Sequence, residues 1–134
     1  MRLFLDTNVL VSAMATRGLC ADVLREVLFT HRLVVAAPLL SELERILKDK
    51  IGIPKDIIDE VIEFLRRDTH NVPSAPLLDI DIQDEGDIVI LSYALEGNAD
   101  LFVTGDRELL NLGKVHFMEI VSPREFWEKL KSIT

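Results

Sequence analysis

Short apolar runs alternate along this chain with longer stretches in which apolar residues recur every three or four positions. The first run, Leu3-Phe4-Leu5, ends in Asp6-Thr7-Asn8 before apolar residues resume at Val9. It predicts a buried strand over 2–5 that delivers a carboxylate to its end. A helix to about Ala15 follows, capped by Asp6 or Thr7 and stopped at Arg17-Gly18. Val23, Leu24, Val27 and Leu28 make one buried face of a second helix over about 19–30. Residues 33–36 read as a second strand. Pro38 opens a third helix in the first turn, where a missing N–H is harmless. Its stripe is Leu39, Leu43, Ile46 and Leu47, and Glu42 lies at the margin of that stripe. Gly52 ends it. Pro54 starts a fourth helix to about Asp68, with Ile57, Ile58, Val61, Ile62 and Leu65 on one side.

A short strand over 70–73 and a loop over 74–83 follow. The fifth helix begins near Asp84 and stops at Gly97-Asn98. Its middle, Ile88-Val89-Ile90-Leu91, is apolar on most sides and predicts deep packing. Residues 101–104 form a strand that Gly105-Asp106 turns into a short helix ending near Leu112-Gly113. The last strand spans 117–121. Ser122-Pro123-Arg124-Glu125 is a capping box with proline at the first helical position, so a final helix runs to about Lys131, docked by Phe126 and Trp127. Short strands that are apolar on both faces, alternating with helices, define an α/β protein of one domain. The expected architecture is three-layered: a central parallel five-stranded sheet in the order 3-2-1-4-5, with right-handed crossovers and helices on both faces. Periodicity leaves open how the two helices between the second and third strands pack.

Ligands of such sheets bind beyond the carboxyl ends of the strands, where the strand order reverses. Here that point lies between the first and fourth strands. Asp6 follows the first. Thr104 ends the fourth, and Asp106 comes two residues later. The helices after the second and third strands start at the same edge, with Glu42 about one turn into one and Asp87 in the first turn of the other. Four acids from separate stretches are therefore expected in one place. Two bare carboxylates ~5 Å apart repel by roughly 3 kcal/mol at an effective dielectric near 20. A cluster of four calls for protons or a cation. Oxygen-only ligation suits Mg²⁺ or Mn²⁺ and is poor for zinc. Such ions activate water and stabilise the leaving oxygen of a phosphodiester.

Taken singly, each acid has a plainer explanation. Asp6 and Asp106 are good helix caps, Asp87 closes a turn begun at Asp84, and Glu42 is an ordinary helix acid. Caps and ligands share this edge, so the two roles are compatible. Thr7, Asn8 and Thr104 are placed to orient the carboxylates by hydrogen bonds. Asp84 is a cap or an outer ligand. Arg17 and Arg107 are the candidate phosphate contacts; the remaining cations read as solvated surface. His31, His70, His116 and Cys20 read as structural.

Apolar residues make up 49% and charged residues 28%, as in ordinary globular proteins. The apolar runs are too short to span a bilayer, and the N-terminus does not have the pattern of a signal peptide. One cysteine suits a reducing cytoplasm. The net charge of −8 opposes binding of nucleic acid unless acids are neutralised; two divalent ions would halve it. There is no aromatic stripe for stacking single-stranded bases. An aspartate-based phosphatase would carry a second Asp where Asn8 stands, and a phosphate-cradling Gly-rich loop is absent.

The segments LDTNVLVSA, SELERIL, DEGDIVILSYALEGNADLFVTGDRELLNL and IVSPREFWEKL resemble PIN-domain proteins over nearly the whole chain. The likeness is greatest to the small stand-alone VapC-like group, toxin components of prokaryotic toxin–antitoxin pairs. The family's four acids fall on Asp6, Glu42, Asp87 and Asp106, its strand-end hydroxyl on Thr104, and the polar residue after the first acid on Thr7 or Asn8. Many relatives have Asp-Asn or Asp-Ala where this chain has Asp87-Ile88 preceded by Gly86; the acid itself is kept. The resemblance implies an Mg²⁺- or Mn²⁺-dependent ribonuclease, homodimers, and a partner antitoxin that covers the cleft. The helices around 23–28 and 57–65 are the candidate dimer surfaces. The alternatives are a non-toxin RNA-processing nuclease and a module that binds RNA or antitoxin with little turnover.

Overall fold

A computed structural model describes residues 1–133. The element order is β1 (Arg2–Leu5), α1 (Thr7–Ala15), α2 (Leu19–Thr30), β2 (Arg32–Ala36), α3 (Ala37–Ile46), α4 (Lys55–Arg67), β3 (His70–Val72), α5 (Glu85–Glu96), β4 (Leu101–Val103), α6 (Arg107–Leu112), β5 (Lys114–Val115), β6 (Met118–Val121) and α7 (Pro123–Ile133). The strands form one sheet in the order β3-β2-β1-β4-β6-β5. The first five are parallel, and β5 returns antiparallel onto β6. The parallel strands keep the expected order. The sixth strand is an addition: two residues, turned back through His116 at φ +53, are too short to leave a periodic signal. That turn also moves Phe117 out of the last strand, where the residue is 53% exposed.

Successive residues Leu3, Phe4 and Leu5 of β1 are all fully buried, as are Val34 and Val35 of β2 and Phe102 and Val103 of β4. Both faces of the sheet are therefore covered by helices, as a parallel sheet requires. Phe4 and Phe102 are paired in register on neighbouring strands, and their rings stack at 5.3 Å. Their full burial places them at the centre of the core, where aromatic side chains carry much of the packing energy.

The helix pair that periodicity left open packs in sequence. α3 lies against α1, α5 and β2, and α4 lies against α3. After Ile46 the chain widens into a π-helical turn over Leu47–Ile51 and leaves through Gly52 at φ +79, a left-handed position that favours glycine. The capping box at α7 forms reciprocally: Glu125 N–H donates to Ser122 Oγ at 3.1 Å, and Ser122 N–H to Glu125 Oε1 at 3.0 Å. Phe126 is fully buried and Trp127 packs beside it at the core margin. In the two helices expected to form an interface, Val23, Val27, Ile58, Ile62 and Leu65 face the protein's own core. The apolar side chains left outward are Leu28 and Phe29 on α2 and Ile57 and Phe64 on α4. Among the described residues, no helix is long and apolar enough to cross a membrane.

Candidate functional site at the carboxyl edge of the sheet

Two main-chain hydrogen bonds gather the carboxyl ends of three strands. The Asp6 N–H donates to the Val103 carbonyl at 2.9 Å, and the Thr104 N–H donates to the Val121 carbonyl at 3.0 Å. Asp6 and Thr104 thus become neighbours where the strand order reverses. The Thr104 hydroxyl donates to Asp6 Oδ2 at 2.7 Å and accepts the Asp106 N–H at 3.0 Å. The Thr7 N–H donates to Asp6 Oδ1 at 2.8 Å. One buried hydroxyl therefore fixes both the carboxylate of the first strand and the turn that carries Asp106. Burial pushes the Asp6 carboxyl above its ordinary pKa. The Thr104 and Thr7 hydrogen bonds pull it back, and the charge of Asp106 raises it further.

Asp106 and Asp84 cap the helices that follow them. Asp106 Oδ1 accepts the N–H groups of Glu108 at 2.8 Å and Leu109 at 3.4 Å. Asp84 Oδ1 accepts those of Gly86 at 2.8 Å and Asp87 at 3.2 Å. Asp84 is thus a cap, as one of its two expected roles required. Asp87 is half-buried in the first turn of α5, and its side chain makes no hydrogen bond among the described residues. Burial, and then the charges of Asp84, Asp106, Asp6 and Glu108, push its carboxyl up to about 6.

Asp6, Asp87 and Asp106 are thereby drawn into one electrostatic unit. Glu42 is half-buried on α3, which touches both α1 and α5, but no hydrogen bond or charge coupling joins it to the other three. The proposed orienting residues divide. Thr104 orients Asp6 through its hydroxyl. Thr7 does so only through its main chain, and its buried Oγ1 has no hydrogen-bond partner. Asn8 is exposed and makes no bond to the acids. Arg17 and Arg107 are exposed. Glu108 was not expected at the site. Its signal was its place in the first turn of α6, two residues beyond Asp106, where the helix start turns it toward the same edge.

The ion pairs among the described residues join Arg25 to Asp22, Lys55 to Asp59, Arg67 to Asp68 and Lys129 to Glu119. None neutralises an acid of the cluster. Asp106 Oδ2 and both oxygens of Asp87 accept no hydrogen bond there. A set of free carboxylate oxygens with no imidazole or thiolate suits a hard cation. No three His, Cys, Asp or Glu side chains among the described residues already stand in chelating geometry. The fit is therefore to an ion that uses one or two carboxylates directly and reaches the others through water, the habit of Mg²⁺.

The sequence profile of the PIN domain family matches residues 2–108, and the chain belongs to that family. Membership places it among nuclease domains at the level of class; it fixes neither the metal nor the nucleic acid cut. The fold is shared with solved toxin–antitoxin complexes. One is VapBC2 from Rickettsia felis bound to a DNA fragment from its promoter, with a TM-score of 0.61, 16% identity, and 90% of this chain and 98% of that chain covered. Another is VapBC-1 from nontypeable Haemophilus influenzae, with a TM-score of 0.60, 19% identity, and 92% and 99% covered. No curated protein matches the chain by sequence.

Proposed function

We propose that this chain is a single PIN domain acting as a metal-dependent endoribonuclease, the toxin of a toxin–antitoxin pair. The observation that carries the nuclease reading is the buried Asp6 carboxylate, coupled to Asp87 and Asp106, with none of the three in an ion pair among the described residues. One or two of Asp6, Asp87 and Asp106 would hold Mg²⁺ or Mn²⁺ directly, and the others, with Glu42, would reach it through water. A bound ion of this kind supplies Lewis-acid polarisation of the phosphodiester and activation of a water.

The chain's own residues do the rest. Thr104 holds the Asp6 carboxylate in one orientation. The caps formed by Asp84 and Asp106 fix the two helix starts, and with them Asp87. The charges that push the Asp87 carboxyl up in the metal-free protein are the ones a bound cation would offset, so Asp87 would serve as a ligand that holds the ion. The P–O3′ bond breaks, leaving 5′-phosphate and 3′-hydroxyl ends. Asp6→Asn is expected to abolish cleavage of RNA by nuclease-free preparations while leaving the circular dichroism spectrum unchanged. Equal cleavage by the wild type and this variant refutes the assignment.

The toxin role draws support from the solved VapBC complexes that share the fold; an antitoxin would cover the acid edge. Homodimerisation would use the outward apolar residues Leu28, Phe29, Ile57 and Phe64, and light scattering at micromolar concentration tests it. A second reading, a module that binds RNA or antitoxin with little turnover, is favoured by the unchelated spacing of the acids. Calorimetric titration with Mg²⁺ or Mn²⁺ separates the two, because an acid cluster of purely structural role shows no saturable binding.

A further inference from the structure

The opposite edge of the sheet is built from cations. Arg2 and Arg32 are partners in register at the starts of β1 and β2, so their side chains leave the same face of the sheet. His70, in register with Val34 on β3, leaves that face too. The pKa of His70 is lowered, by burial first and then by the charges of Arg2 and Arg32, which places the three groups within electrostatic reach of one another. Among the described residues, neither guanidinium has a carboxylate within ion-pair distance. Arg2 Nη1 donates to the Gly97 carbonyl at 3.0 Å, which fixes its position. The carboxylate of Asp100 lies nearby, but it accepts the main-chain N–H of Arg2 at 2.8 Å.

The two arginines line an open groove. One concavity of about 530 Å³ is bounded by Met1, Arg2, Thr30, His31, Arg32, Asn98 and Asp100. A second, of about 240 Å³, continues past His31 and Arg32, over Leu28 and Leu33, to Arg67, Asp68 and Thr69. His31 is held by its edge contact with the Phe126 ring at 6.0 Å. Three arginines thus follow one another along a polar trough, in a protein whose net charge is −8. Arg67 is paired with Asp68, at 3.6 Å and in an exposed position where such pairs are weak.

We propose that this groove binds the backbone phosphates of single-stranded nucleic acid at a place separate from the acid cluster. Guanidinium groups in a row match consecutive phosphates, while hydroxyl, amide and imidazole groups suit the sugars between them. The lining is more polar than apolar, with Met1, Leu28 and Leu33 as its apolar members, which favours a sugar-phosphate chain over a peptide that needs apolar pockets. The strands separate the two edges by roughly 13 Å, four residues at about 3.3 Å each. A nucleic-acid strand long enough to pass over the helices that cover the sheet would touch both. The inference deepens the nuclease reading by adding a substrate contact, but it does not depend on cleavage.

The test measures binding of a labelled RNA of about twelve nucleotides, within the usual range for single-strand sites, in EDTA so that nothing is cut. Arg32→Glu is expected to weaken binding by about tenfold or more, and to reduce the slope of log K against log salt by about 0.7 for each phosphate that is no longer neutralised. Arg32→Lys should retain most of the affinity. Arg32 is exposed, so the fold should survive, and circular dichroism checks that it does. Affinity and salt slope unchanged in Arg32→Glu overturn the proposal. Tighter binding of an oligoglutamate peptide than of RNA, lost in the same variant, also overturns it in favour of a protein partner. Binding of pyrophosphate alone, with no affinity for RNA, overturns it in favour of a small anion. A wild type that binds RNA through Arg32 but never cleaves it leaves the groove standing and removes the nuclease reading; cleavage with unchanged binding does the reverse.

Discussion

The Thr104 hydroxyl donates a 2.7 Å hydrogen bond to Asp6 Oδ2, joining residues 98 positions apart at the ends of adjacent strands. Both are buried, so the bond is the main polar contact that holds this carboxylate from the β4 side. Thr104→Val keeps the shape and removes the donor. The Asp6 carboxylate then sits buried with one partner fewer, at a penalty of roughly 1–3 kcal/mol, and the turn bearing Asp106 loses its acceptor. Metal affinity is expected to fall by about tenfold or more, as when an orienting partner is removed from a ligand. Thr104→Ser should restore both. Thermal unfolding with and without Mg²⁺, together with calorimetric titration, checks this; unchanged metal affinity in Thr104→Val shows that the bond has no orienting role.

The raised acid pKa values fix the sign of a pH effect in the metal-free protein. Asp87 rises from 3.8 to about 6, and Asp6 is raised as well. Between about 4 and about 6 the folded state therefore binds more protons at these groups than the unfolded state does. Their contribution to stability is present at the acid end of that window and is lost as pH rises through it. In EDTA, Asp87→Asn should raise the melting temperature at pH 7 and flatten its dependence on pH between 4 and 6. Saturating Mg²⁺ should stabilise the wild type near neutral pH by binding only the folded state. Scanning calorimetry across pH 4.5–7.5 reads both effects. A pH slope identical in wild type and Asp87→Asn shows that another group titrates there.

Much of this site was legible because its residues sit at points where local rules coincide. Asp6, Asp84 and Asp106 each end an apolar run or a loop and open a helix, so capping preference alone locates them. The alternation of short apolar runs with amphipathic stretches then fixes which edge of the sheet they share. Glu42 was less legible: its placement depends on how α3 leans between α1 and α5, which is tertiary packing. The Thr7 hydroxyl went the same way, since a helix N-terminus offers a main-chain donor and a side-chain donor to the same carboxylate and the sequence does not choose between them. The β5–β6 hairpin and the π-helical turn after α3 are too short for any period. The arginine groove was hidden for a different reason. Arg2, Arg32 and Arg67 lie far apart in the chain, and each alone looks like an ordinary solvated cation.

Asp84 serves α5 in two ways that can be separated. Its Oδ1 caps the helix, and its charge is the largest charge contribution raising the carboxyl of Asp87. Asparagine caps about as well as aspartate but carries no charge. Asp84→Asn should therefore keep the cap while lowering the pKa of Asp87, whereas Asp84→Ala should lower that pKa and also weaken the helix by about 1 kcal/mol. Carboxyl carbon NMR titration of metal-free protein measures the shift. A pKa of Asp87 that is the same in Asp84→Asn as in the wild type would show that the Asp84 charge does not raise it.

Gly97 closes α5 against the sheet, and its need for glycine is one of space. Its φ is −77, open to any residue. A Cβ there would lie 2.6 Å from Val34 Cγ1 and 2.7 Å from Val72 Cγ2, inside any tolerable contact. Branched side chains on two neighbouring strands have little freedom to retreat, because a strand restricts their χ1. Gly97→Ala should therefore push α5 away from β2 and β3, and overpacking of this kind destabilises by roughly 1–3 kcal/mol. The entropic gain of alanine over glycine in the unfolded chain, about 0.4–1 kcal/mol, works in the other direction and is the smaller effect. The decisive measurement is a pair of denaturant midpoints. Gly97→Ala alone should lower the midpoint, and adding Val72→Ala should recover part of the loss by opening room for the new methyl. If the double variant is no more stable than the two single effects added together predict, the clash with Val72 is not the cause.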